Sequence, residues 1–124
     1  MVELLRRVGS SEDWAWLVVE PERAEWEDTA YAQACGDASR GLAVETGFGA
    51  STRLVVPRGA ATKPLRNVGV CGWHYLAHPD ELHTVGDAFA IFADYLIDGT
   101  VDGSRYLKRS VVGRGASRVG NSAQ

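Results

Sequence analysis

The chain has 124 residues, of which 45% are hydrophobic and 23% are charged, and its formal net charge is −3. These values are typical of one globular domain and exclude a disordered chain. The acidic balance does not fit a dedicated nucleic-acid binder, and no apolar run approaches the ~18 residues that cross a membrane. We therefore expect one domain over residues 1–112, followed by a flexible basic tail over residues 113–124.

The N-terminus and the cysteines indicate the compartment. Residues 1–7 are rich in charge and lack the apolar core of a secretory signal, which predicts a cytoplasmic protein. Cys35 and Cys71 lie far apart in apolar or glycine-flanked surroundings. In a reducing compartment such residues are buried free thiols rather than a disulfide.

Seven short runs rich in β-branched, aromatic or small apolar residues are candidate strands, each bounded by turn residues. They span residues 2–8, 14–19, 29–34, 42–46, 52–56, 68–76 and 104–112. Pro21 and Pro57 end the second and fifth runs, because proline lacks the N–H that a strand needs. Residues 58–66 are predicted as a long loop, and Gly69 and Gly72 are expected to bend the strand that contains them.

One amphipathic helix is predicted at Val85–Asp98. Thr84 suits the N-cap, because its hydroxyl can accept a hydrogen bond from the backbone three residues on. Gly99 suits the C-terminal end, since glycine adopts the left-handed conformation without strain. The expected buried stripe recurs at helical spacing and consists of Val85, Ala88, Phe89, Phe92 and Leu96. The expected outer side carries Asp87, Asp94 and Asp98.

The order of these elements predicts the fold class. The candidate strands do not alternate with helices, which argues against a doubly wound parallel sheet. We therefore expect an α+β fold, in which an antiparallel sheet of about five to seven strands has one late amphipathic helix packed on one face.

Charge is distributed unevenly along the chain. From Glu12 to Asp28 there are seven acids and one base, whereas after Asp102 there are five bases and no acid. Clustered carboxylates steer a basic partner, and tryptophan is enriched among interface hot spots. The segment therefore predicts a partner-binding surface that consists of Glu22, Glu25, Trp26, Glu27 and Asp28. A solvated loop whose tryptophan packs on the core is the alternative.

The three histidines, His74, His78 and His83, lie close together in the sequence. With Cys71, Asp80 and Glu81 nearby, they offer atom types that bind zinc. Their spacing matches neither H-E-x-x-H nor C-x-x-C, so we expect no cofactor. A strand running into a polar turn before the helix accounts for the same residues, and a metal site at the histidines stays as the alternative.

Four segments carry a resemblance to a known family: T-A-Y-A-Q-A from Thr29, G-L-A-V-E-T-G from Gly41, R-L-V-V from Arg53, and F-A-D-Y-L-I-D-G ending at Gly99. This pattern, which covers roughly residues 14–112, is similar to immunity proteins of polymorphic toxin systems, small α+β proteins of high-GC actinobacteria. The resemblance implies a cytoplasmic protein without catalytic residues that binds and blocks a toxin domain, often a nuclease or a deaminase.

Two functional hypotheses follow. The first is a non-enzymatic protein-binding domain, an immunity protein whose partner is a protein such as a basic toxin domain. It involves neither nucleic acid nor membrane, and the chain itself is a monomer or a homodimer. The alternative is a small metal-dependent enzyme, or a ligand-binding accessory protein, that uses His74, His78 and His83.

Overall fold

The computed structural model describes residues 1–20, 30–49, 51–111 and 113–116. Its elements are α1 (Val2–Arg6), β1 (Trp16–Val19), β2 (Ala30–Asp37), β3 (Gly41–Phe48), β4 (Ser51–Pro57), β5 (Arg66–Asn67), β6 (Trp73–Ala77), α2 (Val85–Asp98), β7 (Tyr106–Arg109) and β8 (Gly113–Ala116). Two short 3-10 turns, Glu12–Trp14 and Pro79–Glu81, precede β1 and α2. Across the described ranges, no helix is both long and apolar enough to cross a membrane.

The strands form two antiparallel sheets. The larger sheet has five strands in the order β1-β2-β3-β4-β7, and the smaller sheet has three in the order β5-β6-β8. The predicted α+β class is therefore confirmed, with α2 packed on one face of a five-stranded sheet. The smaller sheet includes Gly113–Ala116, which the sequence analysis placed in the tail, and residues 117–124 lie outside the described residues.

Small side chains on β2 allow the helix layer to approach the larger sheet. Ala30, Ala32 and Ala34 alternate on one face of β2, opposite Phe48, Thr46 and Val44 of β3. The core cluster between this face and the helices is completed by Leu5, Val8, Leu42, Val44, Val55, Ala88, Ile91, Phe92, Tyr95 and Tyr106. Because side chains alternate along a strand, this face is built from every second residue of β2 and β3.

The opposite face of the larger sheet is buried as well. Tyr75 and Ala77 of β6 pack there against Cys35, Ala43 and Leu54. Burial on both faces explains why β3 is buried along nearly its whole length, from Gly41 to Gly47. Both cysteines are free thiols, although Cys71 is only half-buried.

Two strand predictions were wrong in detail. Residues 2–6 form helix α1 rather than a strand. The buried residues Leu5 and Val8 are three positions apart, which is the spacing of one helix face and not of a strand. The predicted strand at residues 68–76 begins only at Trp73, because Cys71 and Gly72 adopt positive φ angles of 56° and 85° and turn the chain back. Val68 then donates its N–H to the Tyr75 carbonyl across this turn.

Helix α2 begins and ends where the sequence predicted, at Val85–Asp98. Thr84 Oγ1 accepts the Asp87 N–H at 3.1 Å, and Gly99 takes the left-handed conformation with φ 79°. The buried stripe is shifted around the helix, because the sheet covers Ala88, Ile91, Phe92 and Tyr95. Val85 and Leu96 are half-buried against this core, whereas Phe89, predicted to be buried, is 39% exposed.

Candidate functional site

The predicted partner-binding residues Glu22, Glu25, Trp26, Glu27 and Asp28 lie outside the described residues. The chain on either side of them is described. Glu20 is exposed directly after β1, and Ala30 opens β2. The acidic segment is therefore the connection between the edge strand of the larger sheet and its neighbour.

Exposed acids also lie at the other end of β1. Glu12 and Asp13, in the turn that precedes this strand, are both exposed, so β1 has carboxylates before it and Glu20 after it. A four-residue strand is only about 13 Å long. Within the described ranges, β1 pairs with β2 alone, so it is an edge strand of this sheet. This edge strand thus has exposed carboxylates at both of its ends.

The three histidines occupy three different environments. His74 is exposed on β6, whereas Nδ1 of half-buried His78 contacts the Lys63 carbonyl. His83 is buried, and its Nε2 lies 2.7 Å from the Val55 carbonyl, to which it donates as the neutral imidazole. Among the residues that the structure describes, no group of three His, Cys, Asp or Glu side chains could hold a metal ion. The geometry therefore does not bring the histidines together as ligands.

His83 has a structural role. Burial lowers its pKa below the usual 6.5, and this effect outweighs the opposing hydrogen bond to Val55 and the nearby Asp87 charge. Its backbone forms a bridge with Leu42 of β3, and its ring meets the Tyr106 ring edge-on at 5.5 Å. The His83 backbone therefore joins β3, and its neutral imidazole joins β4 and β7, just before α2 begins.

A buried carboxyl group lies between the two sheets. Glu45 of β3 is fully buried on the face covered by β6. Its Oε2 accepts the Tyr75 hydroxyl at 2.5 Å, and its Oε1 accepts the Gln33 amide at 2.7 Å. Because a buried acceptor without donors is unfavourable, these bonds determine how β6 sits on β2 and β3.

On the face of the larger sheet that β6 covers, which we call the polar face, polar side chains continue beyond Glu45 toward the end of the strands. Tyr31 hydrogen-bonds Thr52 on β4, passing across Gly47 of the intervening strand. A Cβ at Gly47 would overlap the Tyr31 ring, so glycine is required there for this crossing. Tyr31, Gln33 and Thr52 are all half-buried, which makes this end of the face accessible in part.

A second buried carboxylate is paired with an arginine. Glu81 is buried, and Nε of Arg109 on β7 donates to its Oε2 at 2.8 Å, while Nη2 donates to its Oε1. Burial raises the pKa of Glu81, but the Arg109 hydrogen bonds and the His78 N–H outweigh that effect, so the pKa is lowered overall. This bidentate pair fixes the turn before α2 to the larger sheet.

The long loop predicted at residues 58–66 is attached to the same turn. Asp80 accepts the backbone N–H groups of Ala61 and Thr62 and the Thr62 hydroxyl. The Thr62 hydrogen bonds are the main reason that the pKa of Asp80 falls to about 2. Asp80 and Glu81, which lie between His78 and His83, thus form hydrogen bonds that hold a loop and a strand in place.

Sequence reasoning missed the buried acids. Gln33 and Glu45 are polar residues at inward positions of strands. Because an inward polar residue needs a hydrogen-bond partner, this pattern is the signal that could have indicated the buried Glu45. The partners Tyr75 and Arg109 are 30 and 28 positions away along the chain, and no local pattern links them.

Comparison of the chain with family models, with curated proteins and with solved structures finds no match.

Proposed function

We propose that this chain is a non-enzymatic protein-binding domain, an immunity-type protein that inhibits a cognate toxin through an acidic surface at the β1 edge. The observation that carries the proposal is the placement of exposed Glu12, Asp13 and Glu20 at the two ends of this edge strand. The acidic segment that contains Trp26 continues directly from Glu20. The run of acids at the end of β1 therefore extends along the sequence toward Trp26.

The roles of the titratable groups support a binding function over a catalytic one. His83, Glu81 and Asp80 are engaged in hydrogen bonds that hold strands and turns together. Glu45 is enclosed between the two sheets. An enzyme instead presents its acid or base to a cavity where a substrate can reach it.

The proposed mechanism is steric and electrostatic. Many toxins that act on nucleic acids have cationic active-site grooves, and a cluster of carboxylates competes for such a groove. Long-range attraction accelerates the encounter, so the association rate should fall as ionic strength rises. Trp26 supplies the apolar contact that slows dissociation.

The proposal predicts that a toxin domain is encoded next to this protein, and the experiment measures binding to that domain. The variant Glu25→Lys/Glu27→Lys/Asp28→Lys should weaken the complex by about 100-fold or more, since it replaces attraction with repulsion. Trp26→Ala should weaken it by about 30-fold, the effect of losing a hot spot of ~2 kcal/mol.

The matched control is Asp94→Lys, compared with Glu25→Lys alone. Asp94 is an exposed acid on α2, so the two variants change the net charge equally at different sites. The control should leave affinity nearly unchanged. Equal affinities for the wild type and the triple variant would exclude this surface, and equal losses in both single variants would show only a general charge effect.

A further inference from the structure

An open cleft lies at the C-terminal end of α2, on the helix side of the larger sheet. It has a volume of about 540 Å³ and is lined by Tyr95, Ile97 and Asp98 of the helix, together with Phe48 and Lys108 of the sheet. Ile97 is 83% exposed and Phe48 is 50% exposed, so two large apolar side chains beside one cleft face solvent. Two large exposed apolar side chains at one cleft can form the apolar centre of a contact surface.

The fold explains why the exposed Ile97 side chain lies beside the cleft. Tyr95 faces the sheet and donates its hydroxyl to the Gly47 carbonyl at 2.7 Å. Successive helix residues are about 100° apart, so Ile97, two positions later, points nearly away from the sheet. Phe48 lies at the end of β3, directly opposite Ala30. The helix ends at Asp98, and the cleft lies where it stops covering the sheet.

The charges at the cleft have opposite signs. Asp98 accepts hydrogen bonds from the Thr100 N–H and hydroxyl, which lower the pKa of its carboxyl group and keep it ionised. Lys108 places its Nζ 5.1 Å from the centre of the Tyr95 ring. In a two-fold dimer the same surface of each copy faces the other copy, so Asp98 of one copy can meet Lys108 of the other. A uniformly basic partner would instead be repelled by Lys108.

We propose that this cleft is a two-fold dimer interface, in which Ile97 of each copy enters the cleft of the other and Lys108 pairs with Asp98 across the axis. The occupant is a second copy of the chain because the surface carries one acidic and one basic side chain, which a two-fold axis can pair. Seven residues line the cleft, fewer than the roughly 20–30 residues per partner of a standard interface, so we expect the dimer to form at micromolar or higher concentrations. The proposal does not depend on the toxin-binding function.

Sedimentation velocity of the full chain tests the proposal between about 5 µM and about 500 µM, a range that brackets a weak dimer. The mass should rise from 13.4 kDa toward twice that value. Ile97→Lys should raise the dimer dissociation constant at least tenfold, and lysine suits the last turn of a helix. Leu65→Lys makes the same change at an exposed residue of the loop before β5 and should leave the dimer intact.

A charge exchange tests the pairing across the axis. Lys108→Asp alone should weaken the dimer, whereas Lys108→Asp combined with Asp98→Lys should restore it. Thermal melts of each variant establish that it is folded. The proposal is overturned if the chain stays monomeric throughout, if Ile97→Lys dimerises like the wild type, if Leu65→Lys weakens association equally, or if the double exchange fails to recover the dimer.

Discussion

The two faces of the five-stranded sheet are both buried, but by different kinds of contact. The face toward α2 is covered by aliphatic and aromatic side chains, and Phe92 and Ile91 share one core cluster with the alanines of β2. The face toward β6 combines a smaller apolar cluster with the hydrogen bonds of Glu45, Gln33 and Tyr75. Apolar packing tolerates small shifts, whereas a buried carboxyl group accepts only a few arrangements of donors.

This difference has a consequence for how the layers assemble. On the helix side the free energy of folding comes mainly from apolar area removed from water. On the other side, the small sheet is positioned by the Tyr75 hydroxyl, and the turn before α2 is positioned by the Glu81–Arg109 pair. We expect the helix face to dominate stability and the polar face to dominate the geometry of the smaller sheet.

The largest effect should come from the helix face. Phe92 is fully buried, so Phe92→Ala should reduce the free energy of unfolding by about 3–5 kcal/mol through lost contacts and a cavity. Phe89→Ala removes the same group from a site on the same helix that is partly open to solvent. It should cost less than about 1 kcal/mol, and urea unfolding of dilute protein measures both. Similar losses in the two variants would contradict the shifted stripe.

An intermediate effect is expected on the polar face. Tyr75→Phe deletes the hydroxyl that donates to the buried Glu45 carboxyl group, which should cost about 1–3 kcal/mol. The matched control is Tyr106→Phe. Within the described part of the chain, the buried Tyr106 hydroxyl has no hydrogen-bond partner. Removing it should be neutral or stabilise by up to about 1 kcal/mol.

The two tyrosine variants are compared by thermal and urea unfolding under the same conditions. Opposite signs, or a clear loss in Tyr75→Phe alone, would support a specific role for the Glu45 hydrogen bonds. Equal losses would mean that both hydroxyl groups contribute alike, and the contrast between the faces would then rest on packing alone.

The smallest effect is a pH dependence from His83. Its pKa is lowered in the folded state, so the unfolded chain binds the proton more tightly. Stability is therefore complete above the unfolded value of 6.5 and declines as the pH falls from there toward the folded value. Urea midpoints at about pH 7.5 and about pH 5.5 measure this decline across that interval.

His83→Gln keeps a donor for the Val55 carbonyl but removes the titration, so its midpoint should change less over this interval. His74→Gln, at the exposed histidine of β6, should retain the wild-type dependence. A steeper decline in His83→Gln than in the wild type would contradict the assignment.

The sequence predicted well wherever the determining interactions are local. Thr84 and Gly99 bound a helix through hydrogen bonds and a backbone angle that lie within a few residues of each other. The central strands and the fold class likewise follow from alternation and turn residues. Prediction failed for α1, because short apolar runs fit a strand and a helix almost equally well. The strand predicted at residues 68–76 was too long, because the expected bend is a full turn in which Cys71, a non-glycine residue, takes a positive φ angle.

The sequence by itself therefore determined the α+β class, the limits of α2, its caps and the acidic character of the β1–β2 connection. The tertiary structure decided which arc of α2 is buried, that a second sheet covers the other face, and that the histidines lie apart. It also joined Glu45 to Tyr75 and Glu81 to Arg109. The physical reason is that periodicity and capping act between neighbours in the chain, whereas burial and ion pairing depend on residues that only folding brings together.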